Sequence, residues 1–255
     1  MTIKNIYNKF KIHPLNYLLM IIVALAGLYK EFLIIFFIII IHELGHFSAA
    51  LIYNWKVKSI NIYPFGGCIN FSESPNKPLY QELVIMLAGP FVQMLLFFLI
   101  YFFMRMGIVS SKLYFLFKNY HYSILFFNLL PALPLDGGRL LNILMCYLRP
   151  YKKSLKYSIY FSYFIFLILI VVNHHNFNML LLVIFLTSKV IIENRNIDYS
   201  YNMFLLDRYL NNYDFKKTKT IKDKDNIYKD HKHIIHYQDR YVTEKEYLKK
   251  RFGNN

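Results

Sequence analysis

The sequence predicts an all-α integral membrane protein with six transmembrane helices, a membrane-associated β-hairpin and a short cytoplasmic tail. Three observations predict this class: the composition, the length of the apolar runs and the distribution of basic residues. Of 255 residues, 56% are hydrophobic, against about 45–50% in soluble domains. Runs such as 32–41 and 161–172 carry no charge and are too uniformly apolar for amphipathic helices. This composition excludes disordered, collagen-like and disulfide-stabilised proteins.

Six stretches of the chain are apolar enough to be membrane spans. A helix rises 1.5 Å per residue, so about 20 residues cross the roughly 30 Å of hydrocarbon. An even number of spans places both termini on one side of the membrane. The predicted spans cover residues 14–29, 32–53, 83–104, 113–135 (broken at its end), 156–172 and 178–192.

The basic residues indicate which side that is. The net charge of +15 would suggest a nucleic-acid partner in a soluble protein. In a membrane protein, cytoplasmic loops carry the excess of Lys and Arg and face anionic lipid. With both termini inside, 25 of the 30 basic residues are cytoplasmic and four lie outside. We therefore expect cytoplasmic termini, the lipid bilayer as a partner and no nucleic acid.

The longest internal loop, residues 55–79, carries a hairpin pattern. Segments 59–63 and 68–71 alternate apolar and polar residues, and Pro-Phe-Gly-Gly lies between them at 64–67. Alternation on both sides of a glycine turn is typical of a β-hairpin. The loop is apolar enough to lie at the membrane surface.

The composition changes near residue 193 and predicts two parts. Residues 1–193 form the six-span domain, and residues 194–255 form a polar, charged cytoplasmic tail. Within the tail, Phe204–Leu210 has the pattern of a short amphipathic helix. The rest of the tail is either disordered or a small or degenerate regulatory domain.

Residues 42–46, His-Glu-Leu-Gly-His, are the strongest indication of chemistry. Residues i and i+4 share one face of a helix, so His42 and His46 can bind one cation, with Glu43 beside it as a base for water. This is the pattern of zinc metalloproteases. It lies inside an apolar run, where three ionisable groups are costly unless they face an internal polar site. The alternative is a buried His/Glu network between helices.

Catalytic zinc usually has three protein ligands, and Asp136 is the candidate for the third. It is the only carboxylate between Glu82 and Glu193. The helix must break around it, and broken backbone at membrane depth is tolerated where it is buried or lines a water-filled cavity. The alternative is an ordinary turn with Asp136 as an exposed cap. The helix-breaking residues are Pro131, Pro134, Gly137 and Gly138.

These two motifs together resemble the site-2 protease family of intramembrane zinc metalloproteases, peptidase family M50. Residues 88–90, Ala-Gly-Pro, are similar to a further signature of the family, and the resemblance covers residues 10–192. It implies a zinc metalloendopeptidase in which His42, His46 and Asp136 hold one zinc ion and Glu43 is the catalytic base. No residues for another cofactor are expected.

Two further features gain a role from this resemblance. Asn128 is a candidate to orient the substrate or to hydrogen-bond the developing oxyanion; otherwise it serves as a helix-breaking residue. An exposed edge at residues 59–71 can hold an unwound substrate segment by β-augmentation; otherwise the hairpin is purely structural.

Within the family, the chain most resembles the stage IV sporulation branch. The six spans, the tail and the Phe204–Leu210 segment carry this likeness. It implies a membrane-bound pro-sigma factor as substrate and inhibitory membrane proteins as partners. The tail of about 60 residues is short for the nucleotide-sensing CBS domain with which that branch often ends.

Two other functions remain open on the sequence. One is a different membrane zinc protease that acts in quality control of membrane proteins, although such enzymes usually take a Glu as third ligand. The other is a non-enzymatic metal transporter. A transporter would need several polar sites along a path, whereas the sequence offers one compact cluster with an intact base.

Overall fold

The computed structural model describes residues 10–12, 23, 25–63, 66–71, 74–211, 213–223, 225–237 and 240–253. These residues are mostly helical and include two three-stranded sheets. They pack into two compact units. The first consists of Met1–Glu73 with Val84–Asn128, and the second of Ser74–Leu83 with Leu129–Asn255, counting their described residues. The boundary expected at residue 193 from composition stays a prediction.

The sheet of the first unit contains the predicted hairpin. Strands β2 (Val57–Tyr63) and β3 (Gly66–Phe71) are antiparallel, with pairs running from Val57↔Phe71 to Tyr63↔Gly66. Strand β1 (Phe10–Ile12) pairs with β2 in parallel and was not predicted. Residues 64 and 65 of the predicted turn lie outside the described residues.

Three helices surround the core of the first unit. They are α1 (Tyr29–Ile52), α2 (Leu79–Arg105, which belongs to this unit from Val84 onward) and α3 (Ser111–Asn128). All three are rich in apolar residues, so burial of shared apolar faces holds them together. The buried cluster consists of Ile38, Leu96, Phe97, Tyr114 and Phe117.

Four helices in the described part of the chain are long and apolar enough to cross a membrane: α1, α2, α5 (Tyr151–Val172) and α6 (Phe177–Arg195). Large apolar side chains such as Phe91 and Ile184 are more than 60% exposed on them, as expected for surfaces that contact lipid. The predicted span 14–29 lies mostly outside the described residues. The fourth predicted span corresponds to α3, whose 18 residues include Lys112 and Lys118. The total of six spans therefore stays a prediction.

The second unit contains the remaining helices and a mixed sheet. Helix α4 (Asp136–Leu148) precedes α5 and α6, and α7 (Ile197–Leu210) extends the predicted Phe204–Leu210 helix. Strand β5 (His231–Tyr237) pairs in parallel with β4 (Lys217–Ile221) and antiparallel with β6 (Arg240–Thr243), and α8 (Glu244–Phe252) follows.

The tail therefore has a folded core of its own, which decides against the disordered alternative, and its sheet departs from the all-α class. Each tail strand is short, at four to seven residues, so no long alternating pattern marks the sheet in the sequence. The buried cluster consists of Tyr201, Phe204, Leu205, Ile221, Ile227, Ile235, Val242, Tyr247 and Leu248.

A buried arginine joins the tail to the segment that precedes α2. Arg208 donates to Asn76 Oδ1 and to Glu244 Oε1, each at 2.7 Å, and to two backbone carbonyls. Burial raises the pKa of Glu244, but the hydrogen bond from His233 and the charge of Arg208 outweigh it and hold that pKa below its usual value. These charge-assisted hydrogen bonds compensate the burial of Arg208.

Candidate metal centre

Helix α1 brings the two histidines of the His-Glu-Leu-Gly-His motif together, as the i, i+4 spacing predicts. The Nε2 atoms of His42 and His46 are 3.1 Å apart. The two side chains belong to residues that are 1% and 4% exposed. The helix continues without interruption through the motif to Ile52, so both rings project from a regular backbone.

Helix α2 supplies a hydrogen-bond partner for the other nitrogen of each ring. His46 Nδ1 donates to the backbone oxygen of Ile85 at 2.7 Å. His42 Nδ1 lies 2.9 Å from Gln93 Oε1. Ile85 and Gln93 are eight residues apart, which is two steps of i+4, so both partners lie on one face of α2.

This hydrogen bonding makes the pair suitable for a zinc ion. Carbonyl and amide oxygens only accept, so each Nδ1 carries the ring hydrogen and each neutral ring keeps a lone pair on Nε2. Two such lone pairs at 3.1 Å repel one another unless a cation lies between them. Two nitrogen ligands about 2.0–2.1 Å from one tetrahedral zinc ion are roughly 3.3 Å apart. The residues therefore fit zinc.

Two glycines allow α1 and α2 to approach closely at this point. A Cβ at Gly45 would lie 2.5 Å from the backbone oxygen of Ala88, and a Cβ at Gly89 would lie 2.3 Å from His46 Nε2. Real Cβ atoms do not approach other atoms this closely, so a larger residue would force a shift of the backbone at position 45 and of the His46 ring at position 89. Gly89 belongs to the 88–90 signature noted in the sequence.

Glu43 and Asn128 also lie in the first unit. Glu43 follows His42 in α1 and is partly exposed, whereas both histidines are buried. Partial exposure suits a base that must exchange protons with water. Asn128 is the last residue of α3 and is partly exposed. Among the described residues, none is recorded as a hydrogen-bond partner of the side-chain amide of Asn128.

Asp136 lies in the second unit and begins α4. The chain turns tightly before it, because a Cβ at Gly137 would lie 2.2 Å from the oxygen of Leu129, and one at Gly138 would lie 2.3 Å from the nitrogen of Leu133. Ser162 of α5 accepts a hydrogen bond from the Leu133 amide at 2.8 Å. The predicted helix break is therefore present, and a neighbouring helix accepts a hydrogen bond from one of its backbone N–H groups.

Sequence reasoning missed the residues that support the site. Gln93 and Ser162 were not singled out, and α4 was not predicted as a helix. Gln93 had a usable signal, since it is a single uncharged polar residue in the apolar run 91–104, one helical turn after Gly89. Ser162 had a weaker signal as the last of three serines at i+4 spacing, Ser154, Ser158 and Ser162.

Comparisons with known proteins agree with this geometry. The family model for peptidase family M50 matches residues 30–113 and 103–172. Stage IV sporulation protein FB of Bacillus subtilis is 33% identical over 227 residues, covering 86% of this chain and 79% of that protein. A zinc metalloprotease of Methanocaldococcus jannaschii is 28% identical over 156 residues, covering 60% of this chain and 45% of that protein.

A solved structure shares the fold. The site-2 protease from Methanocaldococcus jannaschii matches with a TM-score of 0.57 at 24% identity, covering 72% of this chain and 89% of that chain. The family match spans more than half of the chain, and the sporulation protein matches along most of it. With its apolar spans and paired histidines, this chain belongs to the site-2 proteases, the intramembrane zinc metalloproteases of peptidase family M50.

Proposed function

We propose that the chain hydrolyses a peptide bond in or near the membrane segment of a substrate protein, with His42, His46 and Asp136 holding one zinc ion and Glu43 acting as general base. One observation carries this proposal. The Nε2 atoms of His42 and His46 lie 3.1 Å apart in an apolar helix that also carries Glu43. Ionisable side chains within a membrane segment are energetically costly and usually mark a functional site.

Each residue has a distinct role in the proposed reaction. The zinc ion, when bound, supplies Lewis acidity that polarises the scissile carbonyl and acidifies water. Glu43 takes the proton from the attacking water and later delivers it to the leaving amine. Asp136, in the first turn of α4, supplies the carboxylate that is the third ligand.

The substrate must be unwound at the cleaved bond, because helical carbonyls are hydrogen-bonded and shielded. Strand β3 has β2 as its one neighbour in the described part of the sheet. Its outer edge offers backbone donors and acceptors to an extended segment. We assign β3 the role of holding the unwound segment, and Asn128 the role of binding the substrate backbone or the developing oxyanion.

The substrate proposed is a membrane-bound pro-sigma factor processed during sporulation. The similarity to stage IV sporulation protein FB, which extends over 86% of this chain, supports this choice. The proposed setting is a six-span protein of the cell membrane with both termini in the cytoplasm, restrained by inhibitory membrane proteins. The excess of basic residues in the inside loops supports this orientation.

The test is co-expression with candidate membrane-bound precursors, scored by the size of the product. A pro-sigma factor and a misfolded membrane protein serve as the two substrate classes, since the second represents the quality-control alternative. The Glu43→Gln variant is the control, because it keeps the histidines and loses the base. We expect a shortened pro-sigma factor with the unchanged chain and none with the variant. Equal cleavage by the unchanged chain and the Glu43→Gln variant would contradict the role of Glu43. Cleavage of the misfolded protein but not of the pro-sigma factor would contradict the proposed substrate.

The transporter alternative is not supported. The chain belongs to a protease family, and the motif keeps the carboxylate that hydrolysis requires and transport does not.

A further inference from the structure

Gln93 is a buried amide inside an otherwise apolar stretch of α2. Its residue is 0% exposed. Both ends of its side chain are engaged: Nε2 donates to the backbone oxygen of His121 at 3.0 Å, and Oε1 lies 2.9 Å from His42 Nδ1. The amide thus connects the middle of α3 to the first histidine of the candidate zinc site, within one compact unit.

The contact with His121 determines which way the amide points. A backbone oxygen can only accept a hydrogen bond, so the NH₂ group must face α3 and Oε1 must face His42. Oε1 in turn only accepts, so His42 Nδ1 must carry the ring hydrogen. In a neutral His42, Nε2 is then the nitrogen that carries the lone pair. The orientation of one amide therefore selects the tautomer of His42.

The backbone at His121 is well placed to hold the amide. The imidazole of His121 is fully buried and stacks on Phe97 with a centroid distance of 4.7 Å and on Phe117 at 5.8 Å. Its ring nitrogens have no hydrogen-bond partner in the part of the chain that the structure describes. The ring of His121 thus packs among aromatic side chains, and its backbone carbonyl is the group that holds the Gln93 amide.

The two histidines reach the same tautomer by different means. His46 Nδ1 donates to the main-chain oxygen of Ile85, which no substitution removes. His42 depends on a side chain. In the other tautomer, His42 would carry a hydrogen on the Nε2 atom that lies 3.1 Å from His46 Nε2, and it could not bind a metal there. A change at position 93 therefore tests the control of tautomer separately from the ligands.

We infer that Gln93 is a positioning residue that fixes the tautomer and ring orientation of His42 for zinc, through its hydrogen bond to the His121 carbonyl. The inference rests on the proposed assignment of His42 as a zinc ligand. Residues that hydrogen-bond metal-binding histidines typically contribute about 10–100-fold to metal affinity. A residue that merely filled space would contribute nothing once an apolar side chain of similar size replaced it.

The experiment measures zinc affinity by competition with a chelator, using the full chain in detergent and no proteolytic assay. Gln93→Leu keeps the volume and removes both hydrogen bonds. Gln93→Glu is the rescue variant, because a protonated carboxyl reproduces both bonds and an ionised one still accepts from His42. Gln81→Leu is the matched control in the first turn of the same helix, where Gln81 Nε2 donates to Tyr80 at 3.2 Å.

We expect Gln93→Leu to bind zinc about 10–100-fold more weakly, and Gln93→Glu and Gln81→Leu to bind close to the unchanged chain. Normal affinity in Gln93→Leu, or equal weakening in Gln93→Glu, would overturn the inference. Gln93→Met replaces the leucine variant if that protein does not fold. His42→Ala separates the two proposals: if it retains zinc, the ligand assignment fails, whereas loss of zinc there with normal affinity in Gln93→Leu contradicts only the role of Gln93.

Discussion

A Cβ atom at position 89 would lie 2.3 Å from His46 Nε2, so α2 can pack against this imidazole only because residue 89 is glycine. The contact involves the ring nitrogen that is proposed to bind the metal. Pro90 follows directly and lacks the N–H that would bond Met86 within α2. The 88–90 segment therefore borders the candidate metal centre and is more than a packing motif.

Gly89→Ala should weaken zinc binding by at least about tenfold, because the added methyl group must displace the His46 ring from its position. Chelator competition on the purified protein measures this. Leu87→Ala, on an exposed part of the same helix, is the control and should bind zinc normally. If Gly89→Ala bound zinc as tightly as the unchanged chain, His46 would not be held at the ligand position that the structure gives it.

Asp136→Asn should reduce zinc affinity as well as proteolysis, because a neutral amide is a poorer zinc ligand than a carboxylate. We expect the zinc affinity to fall by more than about tenfold, because removal of a ligand should cost at least as much as removal of a residue that hydrogen-bonds a ligand. Asp198→Asn provides a matched control, since Asp198 also lies in the first turn of a helix and its exposed carboxylate pairs with Lys152. Full zinc occupancy and normal cleavage in Asp136→Asn would place the third ligand elsewhere.

The contact between the tail and the segment before α2 should depend on pH. Burial raises the pKa of Asp207, but hydrogen bonds from Ser74, Asn76, Tyr213 and Asn211 outweigh it and hold that pKa below its usual value of 3.8. Because the pKa is lower in the folded state than in the unfolded state, the carboxylate stabilises the fold above about pH 4, and this stabilisation is lost as the pH falls through the folded pKa.

Asp207→Asn should therefore lower the melting temperature at pH 7 by at least about 2 °C, the shift expected for roughly 1 kcal/mol in a chain of this size. The difference from the unchanged chain should shrink at pH 3. Thermal unfolding in detergent at both values measures it. Asp214→Asn is the control, since Asp214 is an exposed residue whose hydrogen bond to Lys232 is also exposed. A difference that stays constant between pH 7 and pH 3 would contradict the assigned role of ionised Asp207.

The pairing of His42 with His46 was predictable from the sequence because one helix carries the whole motif, and helical geometry alone brings residues i and i+4 together. The hairpin was predictable for the same reason, since alternation and a glycine turn are local. Gln93, Ile85 and Ser162 were not, because their roles depend on how separate helices pack. Ile85 contributes only a backbone oxygen, so its residue type carries no signal at all.

The tail also contains features that the sequence could not predict. Its two helices are local features, and part of α7 was predicted. Strands β4 and β5 are parallel neighbours joined by a connection of nine residues, and their pairing depends on tertiary contacts. The cluster around Arg208 is also non-local, since it joins Asn76 to Glu244. A buried arginine cannot be distinguished from the many solvated basic residues of the tail by sequence alone.

The positive charge of the inside loops predicts that both termini are cytoplasmic. Reporter fusions after residue 255 and within residues 173–177 should report opposite sides of the membrane, since α6 (Phe177–Arg195) separates them. A fusion within residues 149–155 should report the same side as the one after 255. Identical sides for the positions 173–177 and 255 would contradict the proposed topology.

The edge of the hairpin gives the last prediction. Along an antiparallel strand, residues alternate between those whose N–H bonds the partner and those whose N–H points outward. Ile69 pairs with Ile60 and Asn70 with Ser59, so one residue of this adjacent pair offers its N–H to the outer edge of β3. Proline at that position removes a donor and fixes φ without breaking the β2–β3 ladder, whereas alanine leaves the donor in place.

If β3 holds the unwound substrate through its backbone, proline at one of these two positions should reduce cleavage far more than alanine at the same position, with zinc content unchanged. Product size in the co-expression assay and zinc analysis of the purified variants measure this. Proline at the inward position breaks the ladder and should lower zinc content or yield as well, which identifies it. Normal cleavage by both proline variants would exclude backbone pairing at this edge. The binding energy would then have to come from side-chain contacts, and alanine at Ile69 or Asn70 would be the variant that reduces cleavage.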